Sequence, residues 1–199
     1  MSGKHSGPRR AALVAALSLL ACPLVAHAAD PAAGRNKAQV CAACHGAGGN
    51  SANPAVPSLA GQPAQFIATQ LVMFREGNRK DPQMSPAAAN MTNTDINELA
   101  AYFSAQPLAQ SARVTDPARA AAARRLSEQY HCVSCHGAAL MGQQHIPRLA
   151  GQQLAYLRTQ LRGFKAGTRF DMDGNMTSAM QALSDADIEI LADYVSGLK

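Results

Sequence analysis

The chain has no tryptophan and, in 199 residues, only five phenylalanines and four tyrosines. Its own rings therefore make a small contribution to any core. Strand-rich runs are also missing, which removes the βαβ setting expected around a thioredoxin-like cysteine pair. No paired carboxylates and no nucleophile–base triad stand out, so hydrolytic chemistry has no support. The apolar run from Ala11 to Ala21 is short, broken by Ser18 and closely followed by Pro23, which disfavours a membrane-spanning helix. Cysteine is scarce too: there are five, an odd number.

What the N-terminus does have is the layout of an export signal. Lys4, Arg9 and Arg10 form a basic region, Ala11 to Ala21 an apolar one, and Ala26-His27-Ala28 a small-residue cleavage site. Two alternatives are a retained anchor and lipoprotein processing at Leu19-Leu20-Ala21-Cys22, which Pro23 disfavours. Removing residues 1–28 takes away three bases and no acid, so the formal charge falls from +5 to +2. The basic balance thus belongs largely to the signal, and no nucleic-acid partner is expected. Arg124-Arg125, the one Arg-Arg doublet beyond the signal, reads as a solvated helix face. Cys22 leaves with the signal, and the mature chain keeps four cysteines.

Those four fall in two copies of one motif, Cys41-Ala42-Ala43-Cys44-His45 and Cys132-Val133-Ser134-Cys135-His136. Each is C-x-x-C-H, the attachment signature of c-type haem. The thiols bond to the haem vinyl groups, and the adjacent histidine ligates the iron from below. A structural zinc site requires four ligands at finger-like spacing. Here the pairs lie far apart, each with its own histidine. Two covalent haem c groups are expected, and their apolar faces supply the bulk that the missing aromatic rings do not.

The motif copies belong to a longer repeat. Pro57-Ser58-Leu59-Ala60-Gly61-Gln62 recurs as Pro147-Arg148-Leu149-Ala150-Gly151-Gln152. Gln70-Leu71, Phe74, Gly77 and Arg79 recur as Gln160-Leu161, Phe164, Gly167 and Arg169, while Asp95 and Tyr102 recur as Asp187 and Tyr194. The offset moves from 91 to 90 to 92, so only small insertions separate the halves. The reading is a first domain at 29–105, a linker at 106–116 and a second domain at 117–199. Both domains read as helical. Phe66, Ile67, Leu71 and Phe74 form an apolar stripe that Tyr156, Leu157, Leu161 and Phe164 repeat. Thr92 with Asp95, and Ser184 with Asp187, predict capping boxes opening the last helix of each half. The buried faces behind them are Ile96, Leu99, Ala100 and Phe103, and Ile188, Leu191, Ala192 and Val195. Further helices are expected over 31–40 and 118–130, each leading into a haem motif.

Each iron needs a second axial ligand. A methionine thioether favours the reduced metal, so a His/Met pair suits electron transfer. The repeat selects Met84 and Met176, each eight residues before its cap, Thr92 or Ser184. Met172 competes in the second half. Met91 and Met180 read as packing near the haem edge, and Met73, Met141, His131 and His145 lack a matching residue in the other half. Pro57 and Pro147 follow the haem histidines by twelve and eleven residues, and their carbonyls are placed to orient the imidazole rings. Arg79 and Arg169 are candidates to pair with haem propionates.

Together these features resemble the dihaem cytochrome c4 family. The resemblance rests on the tandem halves, Cys-Ala-Ala-Cys-His-Gly, both Pro-x-Leu-Ala-Gly-Gln segments, Phe-Arg-Glu-Gly-Asn-Arg, and the closing Leu-Ala-Ala-Tyr-Phe and Leu-Ala-Asp-Tyr-Val. It implies an all-α fold of two class I cytochrome c domains related by a pseudo-twofold axis, with propionates near the domain interface. It implies axial ligands His45, Met84, His136 and Met176. It also implies a periplasmic carrier, diffusible or peripherally membrane-bound, that takes electrons from a donor such as a quinol-oxidising complex and delivers them toward a terminal oxidase. The Met84 and Met176 loops differ in length, which is where the chain departs from a strict repeat. Two rival roles are an electron-transfer subunit of a larger dehydrogenase and a dihaem peroxidase. Two methionine-ligated irons argue against the peroxidase.

Overall fold

The computed structural model describes residue 3, residues 29–109 and residues 113–198. The export signal read at 1–28, including Cys22, lies outside the described residues apart from Gly3, as does the linker segment 110–112. The described residues form ten α-helices, five in each half, and no strand beyond one isolated bridge between Gln143 and Ile146. In the first half these are α1 (Pro31–Lys37), α2 (Ala42–His45), α3 (Ala64–Arg75), α4 (Met84–Ala88) and α5 (Asn93–Ser104). In the second they are α6 (Pro117–Gln129), α7 (Cys132–His136), α8 (Leu154–Lys165), α9 (Asn175–Gln181) and α10 (Asp185–Ser196). None is long and apolar enough to cross a membrane.

Local chemistry explains where these helices start. α1 and α6 both open on an aspartate followed by proline. Asp30 accepts from the Ala32 N–H at 2.8 Å, and Asp116 accepts from Ala118 and Arg119. Proline at the first helical position has no N–H to leave unpaired. Both predicted capping boxes form: Thr92 with Asp95 and Ser184 with Asp187 each exchange hydrogen bonds in both directions. In each half the last helix carries the core. α1 and α3 pack on α5 in the first half, and α6 and α8 pack on α10 in the second. The buried residues of α5 are Ile96, Leu99, Ala100 and Phe103. Ile188, Leu191, Ala192 and Val195 are buried in α10, as the periodicity predicts. Where α1 crosses α5 the backbones nearly touch: a Cβ at Gly34 would lie 2.1 Å from the Glu98 carbonyl oxygen. The buried residues of α6 are similarly small: Ala120, Ala123 and Ser127.

The two halves meet through the repeated Pro-x-Leu-Ala-Gly-Gln loops. The Gln62 side chain donates to the Arg148 carbonyl and accepts from the Arg148 N–H, both at 2.9 Å. The repeat-equivalent Gln152 does the same to Ser58, donating to its carbonyl at 2.9 Å and accepting from its N–H at 2.8 Å. These four bonds are related by exchanging the halves, which is the pattern of a twofold contact. All are buried, where an unmade hydrogen bond is most expensive. The Tyr156 N–H to the Pro54 carbonyl, 3.0 Å, and the Gln153 amide to the Ser51 carbonyl, 2.5 Å, extend the seam.

Candidate functional site

Both haem motifs occupy a single helical turn, α2 and α7, which sets the histidine at its C-terminal end. His45 and His136 are buried. The His45 Nδ1 lies 2.8 Å from the Pro57 carbonyl oxygen, and the His136 Nδ1 lies 2.9 Å from that of Pro147. A carbonyl can only accept, so Nδ1 carries the proton in each ring. Burial pushes both imidazoles below their ordinary pKa, against the opposing pull of that hydrogen bond. A neutral ring protonated on Nδ1 leaves the Nε2 lone pair available to a metal.

None of the four described cysteines is in a disulfide. Cys44 and Cys135 are exposed, Cys41 and Cys132 half-buried, and burial raises the latter two thiols above their usual pKa. Among the described residues, no group of three or more His, Cys, Asp and Glu side chains is arranged to hold a bare metal ion.

Met84 and Met176 each lie in the first turn of a short helix, half-buried against a core cluster. A repeated aspartate holds each. Asp81 accepts from the Met84 N–H at 2.9 Å, and Asp171 accepts from the Met176 N–H at 2.7 Å and from Thr177. Burial raises the Asp171 pKa, but the hydrogen bonds it accepts outweigh this and hold it below the ordinary value. The spacing from aspartate to methionine is three residues in one half and five in the other, so the extra length of the second loop is looped out between two fixed points. Sequence reasoning missed this anchor, although Asp81 and Asp171 match at the repeat offset of 90. Met172 is 73% exposed, away from the core that Met176 packs against. Met180 and Met73 are buried, Met91 packs on the first core, and Met141 is exposed. His131 is exposed at a left-handed backbone position, and His145 sits 3.7 Å from Asp173.

A cationic cluster spans the domain seam. Arg79 stacks on Phe74 and Arg169 on Phe164, at 4.6 and 4.5 Å from the ring centroids. Arg79 donates to Gln70, and across the seam to the Tyr156 hydroxyl at 3.2 Å and to Gln160 at 3.1 Å. Arg169 donates to Gln160, and its buried Nε has no partner. Burial lowers Arg169 to about 10. Burial alone would raise the Tyr156 phenol, yet the two guanidinium groups hold it below its ordinary pKa. Two like charges with an unpaired donor form a receptor for carboxylates.

Comparison with known proteins bears on this arrangement directly. The family model "Cytochrome c" matches residues 120–199, and "Cytochrome C oxidase, cbb3-type, subunit III" matches residues 28–103. Cytochrome c4 of Pseudomonas aeruginosa is 36% identical over 94% of this chain and 98% of its own length. The chain belongs to the cytochrome c4 family. The crystal structure of reduced recombinant cytochrome c4 from Pseudomonas stutzeri superposes with a TM-score of 0.80 at 33% identity, covering 86% of this chain and all of that one. A thiosulfate dehydrogenase electron acceptor from Thiomonas intermedia is 35% identical over 94% of this chain and 90% of its own length. The fold is therefore that of two tandem class I cytochrome c domains, the protein is an electron carrier rather than an enzyme, and its cofactors are two haem c groups. The residues present fit that group: paired free thiols, a buried neutral imidazole beside them, a thioether held on a separate helix, and arginines with an unpaired donor at the seam.

Proposed function

We propose that this chain is a periplasmic dihaem carrier, exported by cleavage after Ala28, with domains at 29–105 and 117–199 joined by the linker 106–116. It moves electrons from a donor such as a quinol-oxidising complex toward a terminal oxidase. Cys41 and Cys44 attach one haem and Cys132 and Cys135 the other. His45 with Met84, and His136 with Met176, would ligate the two irons. Bound haem iron supplies the one-electron couple that the polypeptide lacks. The chain's own residues set how that couple behaves. Pro57 and Pro147 fix the ring orientation and keep Nε2 turned from the chain's hydrogen bonds. The thioethers favour the reduced metal and raise the potential. Arg79, Arg169 and Tyr156 receive propionates at the seam, and the reciprocal glutamine bonds hold the two centres at one separation.

The observation that carries the ligand assignment is the matched pair of His Nδ1–Pro carbonyl bonds, at 2.8 and 2.9 Å, in the two halves. Met84→Ala and Met176→Ala test the other face of each haem. Each is expected to abolish the weak red charge-transfer band of one oxidised haem and to lower that haem's potential. An unchanged spectrum and potential in either variant rules out that methionine. Mass spectrometry of the exported protein is expected to show two covalent haems on a chain beginning at residue 29.

A second reading, electron acceptor of a periplasmic dehydrogenase, is supported by the Thiomonas relative, which is described as the electron acceptor of thiosulfate dehydrogenase. Reduction of the holoprotein by such an enzyme at rates comparable to those with a quinol-oxidising complex would favour it.

A further inference from the structure

The residues gripped by the two glutamines differ between the halves. Position 58 is serine and its counterpart, position 148, is arginine. Arg148 is 3% exposed. Its terminal nitrogens donate to the carbonyls of Ala60, at 3.0 Å, and Ala150, and its Nε has no partner. Both partners are neutral. Among the described residues no carboxylate side chain pairs with this guanidinium, and burial lowers it only to about 10, so it stays charged at neutral pH. A buried charge without a counter-charge is among the most destabilising features a fold can carry.

Arg148 lines a cavity of about 590 Å³ between the two halves. Arg113 and Arg158 also line it, with Ser58, Gln152 and Gln153, and among the described residues no aspartate or glutamate does. Arg113 pairs with Asp193 and Arg158 with Glu189. The Nε of Arg158, like that of Arg148, is buried and unpartnered. The cavity shares no residue with the Arg79–Tyr156–Arg169 cluster and none with the candidate haem ligands, so it is a separate feature of the seam.

We propose that this cavity is a binding site for a small inorganic oxyanion of the sulfate or phosphate type, held by Arg148 and Arg158. Such an anion supplies the counter-charge that Arg148 lacks. It offers several acceptors to the arginine, serine and glutamine side chains that line the cavity. Because the site is built from both halves, occupancy also strengthens the domain contact.

The test uses the holoprotein, prepared in chloride buffer free of sulfate and phosphate. Calorimetric titration with sodium sulfate, and separately with sodium phosphate, is run at constant ionic strength. One saturable site is expected for each anion, with the unfolding midpoint rising as anion is added. Arg148→Gln is expected to weaken binding by roughly tenfold or more, Arg148→Lys by less, and Arg158→Gln by an intermediate factor. Absence of saturable binding overturns the proposal, as does a wild-type affinity in Arg148→Gln. Should Arg148→Gln fail to fold, wild type and Arg158→Gln decide. A midpoint that responds equally to sulfate and to chloride in wild type, or affinity unchanged in Arg158→Gln, sinks the site.

Discussion

Replacing Gln62 with methionine keeps the side chain's length and approximate volume but removes both of its bonds across the seam. Gln62 is 2% exposed, and its two partners, the Arg148 N–H and carbonyl, belong to one peptide-bearing residue that moves as a unit. Each buried polar group left unpaired costs about 1–3 kcal/mol. Both partners sit on one residue and can relax together, which favours the low end, about 2–3 kcal/mol for the pair. For a chain of this length that corresponds to a fall of roughly 4–12 °C in the unfolding midpoint. Gln152→Met is expected to behave alike, because it breaks the equivalent bonds to Ser58 at 2.8 and 2.9 Å. The double variant carries the sharper information. If the seam opens as one body, the second substitution adds little to the first, since the contact is already lost. Urea unfolding of the holoproteins, followed by far-ultraviolet dichroism and Soret absorbance together, measures all four states. The reasoning fails if Gln62→Met lies within about 0.5 kcal/mol of wild type, the range of an ordinary surface change.

Gly34→Ala drives a Cβ to 2.1 Å from the Glu98 carbonyl oxygen and 2.8 Å from the Tyr102 Cβ, so α1 must move off α5. A loss of about 1–3 kcal/mol is expected by urea unfolding, and an unchanged midpoint would show that the crossing has slack. Ser184→Ala removes the cap of α10 and is expected to cost about 1 kcal/mol near neutral pH. The Ser184 hydroxyl is the first cause holding Asp187 below the ordinary 3.8, so that part of the stabilisation is full above the unfolded value and fades as pH falls through the folded one. The gap between Ser184→Ala and wild type should therefore narrow, without closing, between neutral and acid pH. A gap that widens on acidification contradicts the assignment.

Much of this was readable from residue order because the decisive interactions are local. In C-x-x-C-H the histidine is bound to the end of one helical turn by covalent connection, and the capping residues Thr92, Asp95, Ser184 and Asp187 act within three positions of one another. Pro57 and Pro147 were legible for a related reason: a loop of eleven or twelve residues returning to the same ring leaves few acceptors to choose from. The Asp81 and Asp171 anchors were harder. An aspartate in a loop reads as a turn residue, and only the changed spacing to Met84 and Met176 marks what it holds. The role of Gln62 and Gln152 was not readable at all. A glutamine repeated in both halves looks the same whether it braces its own domain or grips the other one, and periodicity carries no information about partners some ninety positions away.

That ambiguity resolves once the contact is reciprocal. Each glutamine grips only the backbone N–H and carbonyl of the residue opposite, so the contact makes no demand on the side chain at 58 or 148. Both halves make the same grip, while the gripped residue differs between them. In the first half it is a small serine whose hydroxyl accepts from the Ser51 N–H at 3.2 Å. In the second it is an arginine sealed between the domains. A buried cation persists in such a place when something repays its desolvation. Two carbonyls meet that need in part, and the acid-free cavity beside them is where the remainder has room to bind. The two glutamine contacts match in the backbone they grip and differ in the side chain at the gripped position, and the anion titration of Arg148→Gln probes that position directly.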